Sequence, residues 1–353
     1  MDANVFLPAL TTALCVIFFV LLLDQWRARR RGYQAIWAAG ILFFGIAIAC
    51  EALAAANGWS EPVYRVWYLT GAVWTAGWLG LGNAFLLGRT RFGFAFALCL
   101  FLAGLFTFLT ARRDPAIYAD AMTIAMLYFL AAGVLALAVS IETYFQNWRW
   151  PWLAFAAVGG ATVLSIVIML LSALPEPGYA VDPGTGAPVA SILPPALRLL
   201  TPFMNVTGAF ALILGALFSA YVFMPKRRVL DYSLDPGQPG DQFMFNLLIA
   251  PVAIVVNFVA SLPGALKALF TGKINSRVPA TLLIAIGAMI PAWTDSLNRF
   301  GSTEWYQLGK FLGALFLLAG FLVSTEVFAT IRVPFTSIVL RGAPKETREA
   351  NGS

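Results

Sequence analysis

The chain has 353 residues, 60% hydrophobic and only 11% charged, with 23 Lys and Arg against 17 Asp and Glu and a formal net charge of +6. A soluble domain carries roughly 25% charged and 45–50% apolar residues, so this composition, with mean hydropathy +0.80, excludes an ordinary soluble fold and implies a polytopic membrane protein. No histidine is present, which removes His-ligated haem, the usual zinc hydrolase sites, Ser-His-Asp triads and histidine phosphorelay.

A membrane span needs about 20 apolar residues. The N-terminus, MDANVFLPAL, lacks a basic leader, so the first apolar run, 5–23, is expected to be a retained span and not a cleaved signal peptide. Six further runs follow at 35–56, 63–87, 92–110, 117–142, 152–174 and 197–224. The linkers orient them. DQWRARRRGYQ is strongly basic and should be cytoplasmic, which puts the N-terminus outside; Asp24 and Arg27 read as juxtamembrane loop residues. NGWSEP has no basic residue and the long Pro/Gly-rich segment SALPEPGYAVDPGTGAPVASILPP has only acidic charges, so both should be outside. GRTR, NWRW and PKRRVL read as cytoplasmic. Only ARRDP disagrees with the pattern.

The run 243–270 decides the remaining topology. If it spans, Lys267, Lys273, Arg277 and the basic tail fall outside; if it does not, they fall inside with the other basic loops. Pro251 and Pro263 divide it into pieces of about 10–12 residues, suited to a re-entrant or interfacial element. Two final runs, 279–297 and 304–330, form a hairpin. The expected fold is an all-α helical bundle of about nine transmembrane helices, N-terminus out and C-terminus in, with ten as the alternative. It divides into a seven-helix module (1–224), a cytoplasmic-side linker with the interfacial element (225–278), a C-terminal hairpin (279–330) and a basic cytoplasmic tail (331–353).

Intramembrane charges mark the candidate site, because a charged group in lipid must pair or serve a function. Glu51 and Arg65 flank the NGWSEP turn at similar depth and can pair; Ser60 is placed to cap the helix that follows. In PAWTDSLNRFG, Asp295 and Arg299 stand at i and i+4 before the next tight turn, and Lys310 follows it, so that Asp295 can pair with either cation. With nine spans, Glu51, Arg65, Asp295, Arg299 and Lys310 share one leaflet and can line one outer polar vestibule. With ten they cannot.

Asn83, Asn205 and Asn257 are expected to hydrogen-bond between helices, and Glu142 and Glu326 to sit at solvated cytoplasmic ends. Ala76, Gly80 and Ala84, Ala211, Gly215 and Ser219, and Gly309 and Gly313 mark close-packing faces. Cys15, Cys50 and Cys99 lie in apolar runs without CxxC spacing and read as core residues. No catalytic, cofactor or metal motif is recognisable. The expected partners are membrane lipids and either a membrane-protein partner or a second copy of the chain, with no nucleic acid.

The first 224 residues, with RARRRGYQAIWAAGILFFGIAIACEAL and WSEPVYRVWYLTGAVW, loosely resemble the seven-helix membrane regions of bacterial sensor kinases. The chain departs from them in having no histidine, no soluble signalling domain and two further spans. NSRVPATLLIAIGAMIPAWTDSLNRFG and LGKFLGALFLLAGFLVSTEVF resemble a group of stand-alone, uncharacterised polytopic bacterial membrane proteins, a likeness that implies the bacterial cytoplasmic membrane but no activity. The functional expectation is a sensory or accessory protein that binds a ligand or scaffolds a partner. A small-molecule or ion transporter is the alternative, and a histidine-independent lipid-modifying enzyme the third reading.

Overall fold

The computed structural model describes residues 3–183, 186–235, 237, 239–299, 305–324, 331–332, 334, 336 and 338–341. Helix α1 (Ala3–Arg29) runs through the stretch read as a basic loop, so Asp24 is a buried helical residue; the turn is only Arg30, in the left-handed region, and Arg31. Helix α2 (Gly32–Asn57) ends at Gly58, whose φ of +82° is the left-handed conformation that glycine adopts without strain. Ser60 then occupies the N-cap position of α3 (Glu61–Trp67), but its hydroxyl makes no capping bond; its carbonyl accepts from the Tyr64 N–H instead.

Helix α3 continues without a break through a π-helical segment (Tyr68–Trp74) into α4 (Thr75–Leu86), forming one long apolar rod. The π segment lies where α2 comes close: a Cβ on Gly71 would stand 2.8 Å from the Cβ of Ala47. Then come α5 (Phe92–Arg113), a short α6 (Pro115–Tyr118), α7 (Met122–Tyr144), α8 (Trp150–Leu171), α9 (Pro195–Phe223), α10 (Gly240–Phe270), α11 (Arg277–Arg299) and α12 (Tyr306–Val323). A short antiparallel ladder, Ile331 opposite Arg341 and Arg332 opposite Val339, follows in the segment expected to be a basic tail.

Among the described residues, nine helical segments are individually long and apolar enough to cross a membrane: Val5–Arg29, Gly32–Asn57, Phe92–Arg113, Pro115–Tyr144, Trp150–Leu171, Pro195–Phe223, Gly240–Phe270, Arg277–Thr294 and Tyr306–Val323. The α3–α4 rod adds a further one. Their outward surface is apolar, as on α7, where Leu127, Leu130, Val134, Leu137 and Ile141 are all exposed. A water-soluble chain does not present so continuous an apolar exterior, and the protein is an all-α, multi-pass membrane bundle.

The interior is held by close backbone approach and by indole hydrogen bonds. Helices α4 and α9 cross at Gly80 and Gly208, where a Cβ on Gly80 would meet the Gly208 Cα at 2.7 Å. The α11–α12 hairpin closes at Gly287, Gly313 and Gly320; a Cβ on Gly287 would stand 2.6 Å from the Leu317 nitrogen. The expected small-residue faces at Gly80, Gly309 and Gly313 are therefore contact faces, and Gly208 is an unexpected partner. The Trp74 and Trp78 indoles donate to Ser165 Oγ (2.8 Å) and Thr162 Oγ1 (3.1 Å), tying the third span to α8. All three cysteines are buried and unbridged, as expected.

Helix α10 differs from its neighbours. It is one continuous 31-residue helix with Pro251 and Pro263 inside it, not the two short pieces that its prolines imply. Every side-chain contact described for it lies at the basic end of the bundle, where the arginine-rich turns gather. Phe243 packs on Phe94 and Tyr144, at the start of α5 and the end of α7. Phe258 meets Tyr221 near the end of α9, and Ala265 clusters with Met224 and Val278. Residues 243 and 265 are about 33 Å apart along a helix axis, yet both touch the same end. Helix α10 therefore lies across that end while the other long helices run from end to end.

The loop 225–235 clasps α10 in an antiparallel course. Arg227 N–H donates to Ser261 Oγ (2.9 Å), Val229 and Leu230 N–H donate to Asn257 Oδ1 (2.7 and 3.0 Å), and Ser233 N–H reaches Asn246 Oδ1 (3.4 Å). Asn257 Nδ2 returns a bond to the Leu230 carbonyl (2.7 Å). Asn257 thus holds a loop and not a second helix. Lys226, Arg227 and Arg228 are left exposed on the outside of the clasp.

Candidate functional site

The charges at the end opposite the basic turns pair differently from the sequence expectation. Glu51 on α2 and Lys310 on α12 form a buried ion pair, with Lys310 Nζ at 2.6 and 2.7 Å from the two carboxylate oxygens. Trp67 Nε1 donates to Glu51 Oε1 and Gln307 Nε2 to Oε2, each at 2.9 Å. The Lys310 ammonium also lies 3.6 Å from the centre of the Tyr306 ring. A carboxylate buried among apolar helices needs this degree of satisfaction to remain charged.

Arg65 does not pair with Glu51. Its guanidinium takes Glu61, one turn earlier, at 2.6 Å, and donates to the Ser172 carbonyl at 2.8 Å and to the Met169 carbonyl, pinning α3 to the end of α8. Tyr64 O–H donates to the Val189 carbonyl and the Tyr68 hydroxyl bonds Thr201 Oγ1 at 2.7 Å, so the 172–194 loop and the start of α9 close over this end. Helix α11 carries Asp295 and Arg299, but their side chains lie outside the described residues; so does Glu326. Lys310, expected on Asp295, is engaged by Glu51. Depth along the helices brings Glu51 and Lys310 to one level, and the rotation of each helix decides which partner it finds.

Of the polar residues noted singly, Asn83 behaves as expected: its Nδ2 donates to the Leu212 carbonyl (2.9 Å) and the Ala211 carbonyl (3.4 Å), joining α4 to α9. Glu142 departs from the expectation of a solvated end, because its Oε2 is buried and has no hydrogen-bond partner among the described residues.

A second site, at the basic end, is not foreshadowed by the sequence. Helices α2, α4, α9 and α11 and the end of α12 line a partly open cavity of about 290 Å3, just below the usual range for ligand pockets. Its walls are largely apolar, with Trp37, Leu86, Val222 and Ile284 among them. Asn83, Ser219 and Ser324 also line it, at 4%, 9% and 5% exposure. Of these three, Asn83 already spends its Nδ2 on the Ala211 and Leu212 carbonyls. Arg277 stands at the mouth, its guanidinium carbon 4.4 Å from the Phe223 ring centre.

The two sites differ in chemical character. The Glu51–Lys310 cluster is saturated by protein groups and serves as a lock between the first and last hairpins. The cavity combines volume with a few polar side chains in largely apolar walls, and so has the capacity to hold a ligand. Among the described residues no group of three or more Cys, Asp or Glu is placed to hold a metal ion. No protein-family model, curated protein or solved structure matches the chain.

Proposed function

We propose that this chain is a membrane-embedded binding protein of sensory or accessory type, oriented with its basic end and α10 at the cytoplasmic face of a bacterial inner membrane. The positive-inside rule supports that orientation, because the turns at Arg30–Arg31, Arg89–Arg91 and Lys226–Arg228 share the basic end with Lys273 and Arg277. The observation that carries the reading is the cavity between α2, α4, α9 and α11, where the buried polar side chains Asn83, Ser219 and Ser324 stand among largely apolar walls. Lipids cover the apolar exterior, and a membrane partner or second copy has the same surface on which to dock.

The transporter alternative draws on an interrupted element at 243–270. That helix is continuous, and the Glu51 and Lys310 charges are consumed by their own pairing, so its support is reduced. The test is thermal unfolding of the purified protein across a panel of small amphiphiles, with Ser219→Leu as the variant that fills the cavity. Binding in the cavity shows as stabilisation of the wild type that is absent from the variant. If no compound separates the two proteins, the reading is wrong.

A further inference from the structure

The polarity of α10 is inverted relative to a helix on a water-facing surface. The side turned toward the bundle and the 225–235 loop carries Asn246, Asn257 and Ser261, with Ala250, Ala253 and Ala265 buried among them. The opposite side carries Phe245, Leu248, Val252, Val255, Val259 and Leu266, each more than half exposed. Their spacing of three, four or seven residues places them in one stripe. From residue 245 to residue 266 it runs about 32 Å. An apolar stripe of that length, turned away from the bundle at its basic end, needs an apolar cover.

Charge is divided along the same helix. The loop runs antiparallel to α10, with Arg227 against Ser261, Val229 and Leu230 against Asn257, and Ser233 against Asn246. Asp231 and Asp235 therefore lie toward the start of α10, where Asp241 stands in the first turn. Lys226, Arg227 and Arg228 lie toward its end, where Lys267 occupies the last turn and Lys273 follows. All eight of these charged side chains are exposed. An anionic lipid surface attracts the second half of this element and repels the first. A second α10 running in the opposite direction matches both halves at once.

We propose that the stripe is the contact between two copies of this chain, their α10 helices packed antiparallel about a two-fold axis along the membrane normal. Such an axis sets helices lying in the membrane plane antiparallel, whereas spanning helices related by it run parallel and bring like charges together. The stripe is self-complementary in this register. Phe245 of one copy lies opposite Leu266 of the other, Val252 opposite Val259, and Val255 beside the axis. Asp241 then comes within about 4.5 Å, measured along the helices, of the level of Lys267 in the other copy, a distance that a lysine stem spans. The inference rests on the position of α10 across the basic end and not on occupancy of the cavity.

The experiment is copper-catalysed oxidative cross-linking of the full chain in isolated membranes, with Cys15, Cys50 and Cys99 replaced by serine or alanine and single cysteines introduced. Val255→Cys should give a disulfide-linked dimer, because residues beside the axis approach within the roughly 7 Å between Cα atoms that a disulfide requires. Phe245→Cys and Leu266→Cys should each link weakly alone and strongly when co-expressed. Val134→Cys, on the exposed row of α7, gives the level of chance collision. Asp231→Lys, Asp235→Lys and Asp241→Lys combined should lower linking at Val255→Cys by about fivefold or more. Lys226→Gln, Arg227→Gln and Arg228→Gln combined is the second charge variant should the first fail to accumulate. Linking of Val255→Cys no stronger than that of Val134→Cys shows that lipid covers the stripe, and linking only to a different protein gives the stripe another occupant; either result overturns the proposal. Strong self-linking of Phe245→Cys, or linking at Val255→Cys unchanged by the charge variants, overturns the charge-matched antiparallel arrangement.

Discussion

Lys310→Met isolates the energetics of the lock between the hairpins. In the wild type the Glu51 carboxylate receives four hydrogen bonds, two from Lys310 and one each from Trp67 and Gln307. The substitution preserves side-chain length and removes the two charge-assisted bonds together with the neutralising charge. An unpaired charge left in a buried site costs roughly 3–5 kcal/mol. Glu51→Gln is expected to cost a similar amount, because it strands the ammonium with only the Tyr306 ring and neutral oxygens. The double variant carries no charge at this site; the amide oxygen that replaces the carboxylate still accepts from Trp67, and its NH2 group donates to the Gln307 carbonyl oxygen once that side-chain amide turns over. Its destabilisation should fall to about 1–2 kcal/mol, a coupling of several kcal/mol in the double-mutant cycle. The assay is reversible unfolding in mixed micelles with increasing SDS. Single variants within about 0.5 kcal/mol of wild type, or strictly additive effects, would refute the assignment of this pair as the tie between α2 and α12.

Two further substitutions probe the packing. Gly208→Leu drives a side chain into the Ala76 carbonyl and the Gly77 nitrogen at the α4–α9 crossing, so it should lower stability by about 3 kcal/mol or more, measured in the same assay. Asn257→Ala removes the group that holds Val229 and Leu230 against α10. Trypsin should then cleave at Arg227 or Arg228 several-fold faster, with the transmembrane core intact by gel filtration; an unchanged rate would show that the clasp does not depend on Asn257.

The long apolar helices and their ends are legible in the sequence because hydropathy and the arginine-rich turns report them directly. Rotation about each helix axis is not. A helix apolar around its whole circumference has no polar stripe to say which face meets which neighbour. Glu51 and Arg65 flank the same turn, but α2 turns Glu51 toward α12 and α3 turns Arg65 toward α8. Lys310 reaches Glu51 on α2 for the same reason.

The cavity is hidden by separation in sequence. Asn83, Ser219, Arg277 and Ser324 come from four different helices or their ends, and each alone has an ordinary structural role. In α10, Pro251 and Pro263 signal a break because each removes one helical hydrogen bond. The helix continues through both, and Asn257 and Ser261, between the two prolines, fasten it to the 225–235 loop.

Both sites depend on α10 lying across the basic end, since that places Arg277 and the start of α11 beside the end of α9. Gly272→Cys, in a chain with Cys15, Cys50 and Cys99 replaced by serine or alanine, tests this with a membrane-impermeant thiol label. Gly237→Cys, in the loop before α10, serves as the reference. The structure predicts that positions 237 and 272 label from the same face of the membrane. Labelling of 272 only from the face opposite to 237 would make α10 a transmembrane span, and the placement of Arg277 at the cavity mouth would fail with it.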